Sequence, residues 1–124
     1  MKYGIGQALL VLRPGAEWNV TDDVYTGIEW LDKNQTKPTL EEVSTTVTRL
    51  NDEEPMRLLR VERDKRLTDC DWVVTKAIET GDTVSNVWKA YRQSLRDLPA
   101  SASPQLDSYY NLDLNSVNWP TKPL

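Results

Sequence analysis

The 124-residue chain contains no histidine, no phenylalanine and a single cysteine, and its longest apolar stretch covers only residues 8–12. Each absence removes a class of function. Without an imidazole there is no Ser-His-Asp triad, no Cys-His pair, no H-E-x-x-H zinc site and no proton shuttle of ordinary pKa near neutrality. Cys70 alone excludes an internal disulfide or a cysteine cluster. With no base near it in sequence, it reads as a small packing residue with a reduced thiol. The apolar run is far short of the ~18 residues that cross a bilayer. Arg13-Pro14-Gly15 follows it at once, where a secretory signal would continue and end in small residues. The expectation is a cytoplasmic protein with no membrane partner.

What is present suits a water-soluble globular fold: 39% hydrophobic and 27% charged residues, with five tryptophans and five tyrosines as an amphipathic aromatic set. Fifteen basic against nineteen acidic residues give a net charge of -4. That balance repels a phosphate backbone, so no nucleic-acid partner is expected. The charge is uneven, however. Between residues 56 and 67, five basic residues stand against two acidic ones. Such a segment either neutralises acidic neighbours in its own fold or meets an acidic partner.

Ile5, Ala8, Leu9 and Leu12 fall at helical spacing and are stopped by Arg13-Pro14-Gly15. Trp18 and Val20 then alternate with polar neighbours, Asp22-Asp23 supplies a turn, and Tyr25, Ile28, Trp30 and Leu31 form a second strand-like run with a bulge at Gly27. Lys37-Pro38-Thr39 opens a helix, with Thr39 and Glu42 spaced as a capping box and Leu40, Val43, Val47 and Leu50 on one face. Two readings stand beyond it. Asn51 and Glu54 start a second helix over about residues 52–68, with Pro55 in its first turn, or one long helix kinks at Pro55. Either way, Met56, Leu59 and Leu67 fall on one face and Leu58 and Val61 on another. A helix so divided packs between two layers, or once on its own domain and once on a partner, and the second arrangement is the sequence's best physical hint of self-association. Arg63 lies beside the first face, so its guanidinium is expected to pair with Asp69 or Asp71.

Gly81-Asp82 marks a turn before the clearest amphipathic stripe, Val84, Val87, Trp88, Tyr91, Leu95 and Leu98, which Pro99 ends. Trp88 and Tyr91 belong to that stripe and read as core. Residues 99–124 carry four of the seven prolines and read as an extended tail, in which Leu112, Leu114, Val117 and Trp119 alternate like a small hairpin about Asn115-Ser116 or an added edge strand. Trp119-Pro120-Thr121-Lys122-Pro123 either docks as a polyproline ligand in a partner's groove or folds back so that Trp119 covers the core near Trp18 or Trp30. The expected architecture is α+β: a short opening helix and β-hairpin (1–38), a helical region of two to three helices (39–98) and the tail (99–124), in one compact domain.

The candidate chemistries are weak. Gly4-x-Gly6 lacks the strand, third glycine and Lys-Ser/Thr of a phosphate loop, and no acidic cluster has calcium-loop spacing. Turn and capping roles account for Asp22-Asp23, for residues 52–54 and for Asp69/Asp71. No catalytic residue, cofactor or metal is expected.

Three segments stand out: Leu58-Leu59-Arg60-Val61-Glu62-Arg63-Asp64-Lys65-Arg66-Leu67, with Thr68-Asp69-Cys70-Asp71-Trp72 after it; Trp88-Lys89-Ala90-Tyr91-Arg92-Gln93-Ser94-Leu95-Arg96-Asp97-Leu98-Pro99; and Trp119-Pro120-Thr121-Lys122-Pro123. Together they resemble the phage tail assembly chaperone family. Cys70 interrupts the family's T-D-W string. Residues 38–43, Pro-Thr-Leu-Glu-Glu-Val, are more weakly similar to small phage and prophage tail-operon proteins. The resemblance implies a non-catalytic chaperone for a phage tail or tail-fibre protein, acting by protein–protein binding in the host cytoplasm. Its alternative is a minor virion component, a tail adaptor or fibre-attachment subunit. Of the family-pattern positions Arg60, Arg63, Tyr91, Arg92, Asp97 and Trp119, Arg63 and Tyr91 read as structural. The candidate partner-binding residues are Leu58, Arg60, Val61, Arg92, Trp119, Pro120 and Pro123.

Overall fold

The computed structural model describes residues 2–124 and has an α+β fold. Its order is α1 (Ile5–Leu12), β1 (Trp18–Val20), β2 (Ile28–Trp30), α2 (Leu40–Asp69), α3 (Trp72–Thr80) and α4 (Asn86–Ser101). The chain divides into two compact units, Met1–Glu54 and Pro55–Leu124, with the boundary inside α2.

In the first unit, two side chains satisfy the donors at the start of α1. Gly4 N–H donates to Gln7 Oε1 at 2.9 Å and Ile5 N–H to Asp23 Oδ1 at 2.8 Å. The strands pair antiparallel, Trp18 opposite Trp30 and Val20 opposite Ile28. Gly27 does not make the expected bulge within a strand. Residues Tyr25–Gly27 wind into a 3₁₀ turn, and the second strand begins only at Ile28. A Cβ at Gly27 would collide with the Thr21 carbonyl oxygen, so the close return of the chain requires glycine there. Ala8, Leu9, Ile28 and Val43 form the core, packed by Trp18, Tyr25, Trp30 and Val47 among others.

The capping box that opens α2 is present: Glu42 N–H donates to Thr39 Oγ1 at 3.1 Å and Thr39 N–H to Glu42 Oε1 at 3.3 Å. No second box forms at Asn51 and Glu54. The helix runs unbroken through Pro55 for 30 residues. Asn51 serves the first unit instead, accepting from Tyr3 N–H at 2.8 Å and donating to the Tyr3 carbonyl at 3.0 Å, while Tyr3 Oη donates to the buried Glu54 at 2.6 Å. Those bonds depend on residues 51–54 already being helical, so they oppose a break.

The second unit holds two adjoining clusters. Cys70, Val73, Tyr91 and Leu95 form one; Leu59, Leu98 and Val117 form the other; Trp119 packs against both. Helix α3 was not read from the sequence. It ends in a left-handed Gly81 (φ 70°), whose N–H and that of Asp82 return to the carbonyls of Ala77 and Ile78. Helix α4 continues past Pro99 to Ser101, against the expectation that Pro99 ends it. In the last turn a proline removes one bond, and Ala102 N–H still reaches the Leu98 carbonyl at 3.0 Å.

The last segment is not a plain extended tail. Leu106 and Leu112 bridge across a turn held by Asp107, and residues Leu114–Ser116 form a 3₁₀ turn capped by Asp113 where a hairpin was expected. The side chain of Ser116 ties the two parts together, accepting from Gln105 N–H at 2.9 Å and donating to the Asp113 carbonyl at 2.6 Å.

Candidate partner-binding surface

The seven candidate residues all lie in the second unit and separate into engaged and exposed sets. Arg92 is engaged. One terminal nitrogen donates to the Leu67 carbonyl and contacts Cys70 Sγ, both at 3.1 Å, and the other pairs with Asp71 at 3.1 Å. Burial works against its charge, but the bonds to Cys70 and Asp71 outweigh it and raise the guanidinium pKa. The side chain thus ties α4 to the α2–α3 corner. Asp71 pairs with Arg92 rather than with Arg63, as the sequence had suggested. Arg63 bonds instead to Asp64 at 2.9 Å and to the Arg96 carbonyl at 3.4 Å.

Trp119 is half-buried. Its ring lies beneath the Arg66 guanidinium, Cζ 4.1 Å from the centroid, and its indole N–H reaches the Leu114 carbonyl at 3.2 Å. The aromatic of the W-P-x-x-P segment therefore covers its own unit, packing on Arg66 and the two clusters. Pro120, Pro123 and Leu58 are half-buried. Arg60 and Val61 are exposed, Val61 to 56%.

One apolar surface was missed. Trp72, 54% exposed, meets Trp88 edge to face at 5.7 Å, and Trp88 meets the buried Tyr91 in the same way at 5.9 Å. Burial raises the Tyr91 pKa above its ordinary value. The ladder of rings runs from core to surface and ends at a groove of about 200 Å³ between α3 and the start of α4, walled by Trp72, Val84 and Trp88 and rimmed by Lys76 and Asp82. Trp88 was read as core because it belongs to the α4 stripe. Its partner Trp72 belongs to α3, and the signal that would have revealed that helix was Val73 and Ala77 at i, i+4 followed by Gly81.

Among the described residues, no three carboxylate or cysteine side chains come together as a metal site, and no helix is long and apolar enough to cross a membrane.

The family model for phage tail assembly chaperone protein matches residues 56–124, more than half of the chain. The chain belongs to the phage tail assembly chaperone family. The matched stretch coincides with the second unit, so the family portion is the part that holds Arg92, the covered Trp119 and the Trp72–Trp88 groove. Membership gives the protein a role in phage tail assembly. No curated protein and no solved structure matches the chain.

Proposed function

We propose that the protein is a non-catalytic assembly chaperone that binds an immature tail or tail-fibre protein in the host cytoplasm, with the Trp72–Trp88 groove as its main client contact. The observation that carries this reading is the exposure of Trp72 at the end of a supported aromatic ladder within the family portion. A rigid aromatic wall beside a small apolar groove is the usual composition of a binding hot spot, and about 200 Å³ accommodates one large apolar side chain. Unassembled fibre chains expose such side chains and unpaired strand edges until they meet their own copies. Trp88 and Trp119 pack on the same buried cluster, Arg92 bonds to Cys70 of that cluster, and Pro120 and Pro123 follow Trp119 in sequence.

The test is co-expression with the adjacent tail or fibre gene. Soluble client should require the wild-type chain, and Trp72→Ala should reduce the yield while leaving the chaperone folded. Client yield that is the same with and without the chain removes this reading. Mass spectrometry of purified virions separates the adaptor alternative, which predicts the chain at fixed copy number in the particle.

A further inference from the structure

The two units differ in charge: ten acidic against five basic residues up to Glu54, and nine against ten after it. Helix α2 concentrates that difference. Residues 40–54 carry five acids and one base, and residues 55–69 carry five bases and three acids. The helix dipole favours acids in the first turn and bases in the last, but its influence does not reach Asp52, Glu53 or Arg60 in the middle. Ion pairing does not absorb the difference either. Arg63 pairs with Asp64 and Arg66 with Glu62, which leaves exposed Arg60 and Lys65 without an ion pair among the described residues, on either side of exposed Val61.

In the first unit, the exposed side of α2 presents Ser44, Thr45, Thr48, Arg49, Asp52 and Glu53 as one open face. Glu53 is engaged with Arg49 at 3.3 Å, whereas Asp52 has no ion pair among the described residues. Short hydroxyl side chains lie toward the N-terminal end of this face and carboxylates toward its C-terminal end. We propose that the chain self-associates, the Arg60–Val61–Lys65 face of one copy packing on the exposed α2 face of residues 44–53 of another. The fit is that of a helix ridge in a groove, with the valine on the threonine methyls and the two cations toward Asp52 and Glu53. A second copy is the occupant because this chain itself carries both halves of the complementary pair. The proposal does not depend on the client groove, which lies on α3 and α4.

The experiment is sedimentation of the full chain over a wide concentration range at about 10 mM and about 1 M salt, where screening lengths differ about tenfold. Concentration-dependent association is expected at low salt, weakened at least about tenfold at high salt. Arg60→Glu/Lys65→Glu and Asp52→Lys/Glu53→Lys should each be monomeric alone and should associate when mixed. The Trp72→Ala variant should associate like wild type, which separates this surface from the client site. A chain that stays monomeric at low salt, an association unchanged by either charge reversal, or a mixture of the two variants that stays monomeric overturns the proposal. Should a charge-reversed chain lose its helical circular dichroism, Arg60→Gln/Lys65→Gln provides the same comparison.

Discussion

Arg66 lies over the ring of Trp119, its guanidinium carbon 4.1 Å from the ring centroid, while its Nε bonds to Glu62 at 3.0 Å. A residue fifty-three positions away in sequence is thereby fixed on α2, and the final segment becomes part of the second unit's packing. Trp119→Ala removes contacts with both clusters and should cost roughly 2–3 kcal/mol, below the full-burial range because the indole is only partly covered. Arg66→Ala should cost about 1 kcal/mol, and the double-mutant coupling should be about 0.5–1 kcal/mol. Urea denaturation of the four chains measures all three. A coupling near zero would mean that the stacked geometry contributes nothing to stability.

Arg92 provides the second test, because it joins three groups from the α2–α3 corner to α4. Arg92→Ala should destabilise the second unit by about 1.5–3 kcal/mol, since it removes the charged bonds to the Leu67 carbonyl, which keeps only its bonds from Cys70, and to Asp71. Arg92→Lys should recover less than half of that loss. An ammonium keeps the charge but cannot bond a carbonyl, a thiol and a carboxylate in the forked geometry. Denaturation midpoints of the two variants, each compared with wild type, decide it, and equal stability of Lys and Arg at this position would refute the geometric argument.

Much of the first unit was legible because its signals are local. The α1 stripe, the Pro38-Thr39 start and the Thr39–Glu42 box each lie within one or two helical turns, and each appears where the residues put it. The misreadings share a different cause. At Pro55 the sequence leaves open a new helix or one long kinked helix, and Pro99 looks like a helix end, but tertiary bonds decide: Tyr3 bonds to residues 51–54 within one continuous helix, and Pro99 falls in a last turn where little is lost. The partner of Arg63 and the position of Trp119 were equally beyond a local reading, since each depends on which helix packs beside which. The exposed Trp72 was missed along with its helix, and no periodicity distinguishes a surface tryptophan from a buried one.

Pro55 supplies a prediction that follows from its position. In the interior of a 30-residue helix it cannot donate to the Asn51 carbonyl, and a proline there is about 3 kcal/mol less favourable than alanine. Pro55→Ala should therefore stabilise the protein by about 1–3 kcal/mol, the remainder being offset by the more flexible unfolded chain. Pro99→Ala should gain less, because α4 ends two residues later. Thermal or urea denaturation ranks the two, and a destabilised Pro55→Ala would show that the helix depends on a geometry that only proline supplies.

Acid should loosen the first unit, and the sign follows from two carboxylates. The Thr39 N–H holds the Glu42 pKa below its ordinary value, aided by the Thr39 hydroxyl and Arg13, while N–H groups of Gln35, Glu17 and Asn34 do the same for Asp32. A carboxylate with a depressed folded-state pKa stabilises the fold above its unfolded value and loses that contribution as pH falls through the folded one. Stability from these groups should be complete above about pH 5 and decline below about pH 4. Glu42→Gln and Asp32→Asn should each lower stability near neutrality and flatten the acid decline, measured as unfolding midpoints across that range. Thr39→Ala should cost about 1 kcal/mol at neutral pH through the lost cap and should also reduce the acid dependence, since the donor that depresses Glu42 is no longer held in place. An acid decline of the same steepness in all three variants would assign it to other carboxylates.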